Sequence, residues 1–266
     1  MKRIGYLDAQ RLRVGNVPNW DKVPALLTPG TMEAFGIYEQ FTRYLLADNA
    51  VPTVPGWTND TPTNTVLSIP NVVGGGVLLT AAAALDNNQG QIFRGDGVGG
   101  AFWPEMTKDI WYEARVKQTI AGTNQLNLAF GLVNPCLGTE ILDDDGVGWN
   151  AGANNHLAFY TLDTGAGANA WSFSGDKGGV TDNNALGVDL VSDVFHYYGF
   201  HVYGTDPTGL LPMQCDVYYD RAIVAAGQVL AASIPVTGLT PFLCIKTGSV
   251  AEESVTMQYN MCVQLR

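Results

Sequence analysis

An all-β sandwich is the fold this sequence predicts, on three observations. From about residue 66 onward, short segments alternate apolar and polar residues with period two, the spacing of strands with one buried face. Turn residues, drawn from 31 Gly and 13 Pro in 266 residues, separate these segments at hairpin-like intervals. No helical pattern alternates with them, which argues against a parallel α/β architecture, and no repeat of fixed period points to a propeller or solenoid.

Residues 1–65 read as an extended arm, because Pro18, Pro24, Pro29, Pro52, Pro55 and Pro62 favour extended or turn backbone. Within it, Thr31 to Ala47 places Met32, Phe35, Tyr38, Phe41 and Leu45 at spacings of three and four. This spacing predicts one amphipathic helix, weakened by Gly36. Its apolar stripe needs a surface to cover, either the chain's own β-domain or a partner subunit. Residues 66–266 form the expected β-domain, with strands at Val77 to Ala82, Gln91 to Phe93, Ile110 to Lys117 and Gln125 to Leu132. Further strands follow at His156 to Leu162, Ala170 to Phe173, Val194 to Tyr203, Met213 to Tyr219, Ile223 to Ala226, Pro241 to Lys246 and Ser254 to Leu265. Gly175 to Gly179 and Asp220-Arg221 read as turns between them.

With 46% apolar and 15% charged residues the composition is globular. The net charge of −11 is unevenly spread: residues 1–13 carry +3 and residues 140–220 carry −11. An acidic body repels phosphate backbones, so nucleic-acid binding is not expected of the folded domain. The basic tip, with Arg3, Arg11 and Arg13, either docks on an acidic surface or is simply solvated. Met1 to Val14 lacks the continuous apolar stretch of a secretory signal. The two long uncharged stretches, Thr61 to Leu85 and Ala222 to Ile245, are broken by Pro and Gly, so no membrane span is expected. Cys136, Cys215, Cys244 and Cys262 form no metal-binding spacing and read as buried free thiols in a reducing compartment.

Chemistry-bearing motifs are sparse. Asp143, Asp144 and Asp145, followed by Gly146, make an acidic cluster that reads as a solvated loop or an ion site, but without the alternating spacing of a calcium loop. Glu113, Asp216 and Asp220 are isolated acids: Asp216 and Asp220 stand four apart, but Asp220 reads as the hairpin tip, so no pair on a strand serves glycoside hydrolysis. His196 and His201 fall on opposite faces of one strand and cannot share a metal. No Gly-x-Ser-x-Gly elbow occurs, and the Gly95 to Gly100 loop lacks the Lys and helix of a phosphate site. No catalytic residue, metal or cofactor is therefore assigned. Of the six tryptophans, Trp111 reads as core. Trp103 and Trp149, beside glycine-rich loops, are candidates for an exposed carbohydrate or partner contact.

The order of Trp111 to Val116, Leu128 to Leu132 and Asp144 to Trp149, with Phe195 to Phe200, Val217 to Arg221, Thr240 to Phe242 and Val255 to Tyr259 closing the fold, resembles tailed-bacteriophage virion proteins with a concanavalin A-like jelly roll. The resemblance spans residues 66–266 and is a pattern of strands and turns. It implies a non-enzymatic capsid decoration or minor capsid protein, assembled in the host cytoplasm and located on the virion. Its expected partners are the major capsid protein and further copies of itself, a trimer among the options. Phe35, Tyr38, Phe41 and Leu45 would then help the arm dock. The glycanases of this fold carry a Glu-x-Asp-x-x-Glu strand that is missing here, which removes a hydrolytic reading. The alternative is a lectin-like tail or fibre protein that contacts a host glycan through Trp103, Trp149 and Asp143 to Asp145.

Overall fold

A computed structural model describes residues 34–39, 41, 56–60, 65–70, 72–73, 75–81, 89–95, 99–120, 126–134, 141–143, 149–150, 155–162, 170–204, 212–224, 229, 231–247 and 252–265. The chain is a sandwich of two antiparallel sheets, as the alternating pattern predicts, and of the jelly-roll class that the resemblance implies. Fifteen strands are described: β1 (Ala34–Glu39), β2 (Trp57–Asp60), β3 (Thr65–Ser68), β4 (Val77–Ala81), β5 (Gln89–Arg94), β6 (Ile110–Thr119), β7 (Leu126–Val133), β8 (Asn155–Thr161), β9 (Ala170–Lys177), β10 (Val180–Asp189), β11 (His196–Gly204), β12 (Met213–Tyr219), β13 (Ala222–Ile223), β14 (Thr240–Thr247) and β15 (Glu253–Leu265). The one helical element among the described residues is a 3₁₀ turn, Ala231–Ser233.

The first sheet runs β13-β12-β11-β6-β15-β4-β3, and the second β10-β9-β8-β7-β14-β5-β2. β15 is long enough to serve two partners along one edge: Glu253 to Met257 pair with β4, and Asn260 to Leu265 pair with β1. Against β6, the register of β15 shifts between Met257 and Tyr259, a bulge that re-aims the side chains beyond it.

The expected helix over Thr31 to Ala47 is corrected at its centre, where Ala34–Glu39 is a strand. Its apolar residues at spacings of three and four also include a short strand's worth of extended backbone, and six ladder partners on β15 outweigh the weak propensity of a helix holding Gly36. Phe41, at the end of this strand, is fully buried 5.2 Å from the Trp57 ring, so this part of the stripe covers the chain's own core. Both β1 and β2 lie in the stretch expected as an arm, and each is a strand of a sheet.

The core between the sheets is aromatic. Tyr198 and Phe200 of β11 reach across to Phe130, Phe159, Trp171 and Phe173 of the second sheet, with Trp171 4.6 Å and Phe130 5.1 Å from the Tyr198 ring. A second apolar cluster sits on the far side of the second sheet, where Ile141 and Leu142 pack with Phe93, Val133, Tyr160 and Phe242. Cys215, Cys244 and Cys262 are buried free thiols, as expected; Cys136 lies outside the described residues.

Two tight hairpins use left-handed backbone. Gly178 and Gly179 close β9 to β10, and Asp220 and Arg221, with φ of 46° and 67°, close β12 to β13. The strand β10 was not legible as one: it is a sheet edge exposed over most of its length, where only Leu186 is buried in the core and Val188 packs against it.

Candidate functional site

The outer face of the first sheet brings together the densest set of chemistry-bearing side chains among the described residues. Strand β6 alternates strictly: Ile110, Tyr112, Ala114 and Val116 join the core, which leaves Trp111, Glu113, Arg115, Lys117 and Thr119 on the outside. Antiparallel register sets Tyr197, Gly199 and His201 of β11 directly beside Arg115, Glu113 and Trp111. On the other flank, the register shift puts Tyr259 of β15 opposite Arg115 and Met261 opposite Glu113. Gly199, lacking a side chain, leaves the space beside Glu113 to residues from neighbouring strands and turns.

Two linked groups result. In the first, the Tyr259 hydroxyl donates to Glu113 Oε1, and Arg221 Nη2 lies 3.6 Å from the same oxygen. The Arg221 guanidinium is 4.0 Å from the Tyr197 ring centre, and Arg115 sits 4.8 Å over Phe195 and 5.4 Å over Tyr197. Arg115 also donates to Gln258 on the bulged segment of β15. In the second, the rings of Trp111, His201 and Tyr203 form a stack, with centroids 4.6 and 4.7 Å apart. His201 Nε2 is 3.0 Å from Asp109, and the Tyr203 hydroxyl donates to Gln214 at 3.1 Å and Asp216 at 3.2 Å.

Glu113 is nearly fully buried, with its side chain 4% exposed, so its charge depends on these partners. Burial and then the adjacent Glu113 charge push the Tyr259 hydroxyl far above the ordinary tyrosine range, so it stays a donor. Burial pulls the Arg221 pKa down, but the Glu113 charge and the Tyr259 hydrogen bond outweigh it and the guanidinium is held charged more firmly than usual. Burial, with Asp216 beside it, pushes the Tyr203 hydroxyl up to about 12. Together the face offers half-buried Tyr197, Tyr203, Tyr218 and Tyr259 rings, fixed cations, and neutral hydroxyl donors.

The residues singled out in the sequence are spread more widely. Trp103 is half exposed; its Nε1 donates to the Gly100 carbonyl at 3.2 Å, and its backbone N–H donates to Gln264 at 2.9 Å. Trp149 lies on the far side of the second sheet, stacked 3.8 Å from His156 and edge-on to Tyr160 and Phe242. A bridge from Leu142 to Trp149 closes the loop that carries the acidic cluster. Asp143 is half buried, and Asp144 and Asp145 lie outside the described residues. No group of three or more His, Cys, Asp or Glu among the described residues is arranged to hold a metal ion. Of the expected arm contacts, Phe41 is in the core, Phe35 and Tyr38 lie on β1, and Arg3, Arg11, Arg13 and Leu45 fall outside the described residues. Trp111 is buried as expected, but against His201 on the outer face. Glu113 was legible only as an isolated acid. Its partners Arg221, Tyr197 and Tyr259 come from distant segments, and the available signal was the ring-and-charge alternation of Trp111, Glu113, Arg115 and Lys117.

No family model matches this chain, and no curated protein matches it. Solved structures share its fold. The Emp47p carbohydrate recognition domain superposes with a TM-score of 0.56 at 12% identity, covering 86% of this chain and 94% of that one. An endo-1,3-β-glucanase from Streptomyces sioyaensis gives 0.54 at 12%, covering 89% and 98%, and peanut lectin gives 0.53 at 12%, covering 88% and 99%. The shared property is the concanavalin A and legume-lectin type of jelly-roll sandwich. These neighbours carry the jelly-roll part of the resemblance and give no support to its tailed-phage virion part.

Proposed function

We propose that the chain is a carbohydrate-binding jelly-roll domain and that the outer face of the first sheet is its binding surface. The observation that carries this reading is the cross-strand set of half-buried tyrosines interleaved with Arg115, Arg221 and Glu113. Sugar rings present apolar C–H faces that pack on aromatic rings, and hydroxyls that need fixed donors and acceptors. This face supplies both from the rigid strands β6, β11 and β15 and from the hairpin turn. The carbohydrate recognition domain and the lectin among the structural neighbours favour the same class of ligand.

Binding without hydrolysis is the form we favour, although one neighbour is a glucanase. Glycoside hydrolysis needs a pair of carboxyl groups flanking the bond, one protonated and one free to act. Here Glu113 is tied to Arg221 and Tyr259, while Asp109 and Asp216 are bonded to His201 and Tyr203. A glycan array run with the wild type and Tyr197→Ala tests the reading: binding lost in the variant supports it, and binding unchanged in the variant refutes this face. Reducing ends released from a bound glycan would overturn the non-hydrolytic form.

A further inference from the structure

At one end of the proposed saccharide face cations gather, in a molecule whose net charge is negative. The chain carries −11, yet Arg115, Lys117 and Arg221, three of the seven Lys and Arg among the described residues, converge at one end of the face. Arg115 and Arg221 both lie over the Tyr197 ring, while Arg115 and Lys117 both lie over Phe195, with Lys117 Nζ at 5.6 Å. Rings under the cations hold them in place. Three acids of the described residues lie near this end, and each is already engaged. Glu113 is buried beneath Arg221, and exposed Asp193 meets Lys117 at 3.9 Å while also bonded to Thr119 and Ser192. Asp220, beside Arg221 in the hairpin turn, is bonded to His196 and to the Tyr197 N–H, and Asp109 and Asp216 belong to the His201 and Tyr203 end.

We infer that the ligand is an anionic saccharide, whose carboxylate or sulfate is received by Arg115, Lys117 and Arg221 while a sugar ring lies towards the tyrosines. This rests on the reading of the face as a carbohydrate site. A guanidinium suits a planar carboxylate or a sulfate through paired N–H donors, which neutral hydroxyls do not require. The acidic remainder of the chain disfavours a long polyanion and leaves room for one or two charges at this end.

Isothermal titration at low salt with a galacturonate oligosaccharide, its carboxyl-reduced neutral counterpart and a sulfated oligosaccharide of similar length tests the inference. The uronate or the sulfated ligand should bind at least about tenfold more tightly than the neutral one, and the preference should shrink as salt screens it. Arg115→Gln and, independently, Lys117→Gln should each lower that affinity severalfold and bring it towards that of the neutral ligand. Lys108→Gln, which changes a distant cation paired with Glu105, should leave it unchanged. Equal binding of neutral and anionic ligands, with Arg115→Gln silent, would overturn the inference and leave the saccharide reading standing. Binding of none of the three would count against both, and equally tight binding of single-stranded DNA would reduce the site to unspecific charge.

Discussion

Arg221 occupies a position that its backbone alone would assign to glycine. At the second place of the two-residue turn its φ is 67°, a left-handed conformation that costs a side-chain-bearing residue about 1 kcal/mol. Replacing it with glycine relieves that strain and removes three other things: the Glu113 counter-charge at 3.6 Å, a partner of the Tyr259 hydroxyl, and a cation 4.0 Å from the Tyr197 ring. Breaking a buried ion pair from one side costs about 3–5 kcal/mol, and the 20% exposure of Arg221 places this case at the lower end. The cation over the ring adds about 0.5–1 kcal/mol. Arg221→Gly should therefore destabilise by about 2–3 kcal/mol, lowering the melting temperature by about 5–10 °C for a chain of this size. Thermal and urea unfolding measure it, and a double-mutant cycle identifies the cause. In the Glu113→Gln background, where no charge is left buried, Arg221→Gly should cost less than about 1 kcal/mol. A variant as stable as the wild type, or equal losses in both backgrounds, would refute the argument that Arg221 is held there by Glu113.

Three further expectations follow from the packing. Gly131, at φ 150°, sits where an added Cβ would lie 2.7 Å from Ala158 Cα and against the Leu157 carbonyl, so Gly131→Ala should cost about 2 kcal/mol or more in chemical denaturation. Deleting residues 1–65 removes β1, β2, buried Phe41 and Trp57, and the truncated chain should lack a cooperative unfolding transition by calorimetry. Burial raises the hydroxyls of Tyr112 and Tyr198 well above their ordinary value and that of Tyr203 to about 12. The native state thus keeps protons that the unfolded chain releases. Stability should be complete below about pH 10 and fall as the pH climbs towards 12, read as a lower denaturation midpoint together with rising tyrosinate absorbance.

Local pattern carried most of the fold. The alternation over Ile110 to Lys117 was enough to place β6, although Trp111, read as core, lies on the opposite face from Ile110, Tyr112, Ala114 and Val116, and Asp220-Arg221 was legible as a hairpin tip. What failed had no local signal. Ala34–Glu39 carries a spacing that serves a helix as well as a strand, and the choice was made by β15, more than 200 residues away in the chain. β10, at an exposed edge, buries only Leu186 and so shows little alternation. The candidate site was hidden for a related reason: Glu113, Tyr197, Arg221 and Tyr259 are each unremarkable in their own segments, and only the register of three strands and a turn makes them neighbours. Trp103 and Trp149 stood out because tryptophan beside glycine is visible locally. One is half exposed beside Gly100 and Gly238, and the other is stacked on His156 on the far side of the second sheet.

Saccharide binding at the outer face of the first sheet is open to direct observation in solution. Titrating a glycan hit into isotope-labelled protein and following backbone amide shifts tests it most directly. Changes should be concentrated at Glu113 to Lys117, Phe195 to His201, Asp220 to Arg221 and Gln258 to Met261, all of them abolished by Tyr197→Ala. Shifts centred on Trp149 and Asp143, or on the β10 edge, with the first sheet silent, would contradict it.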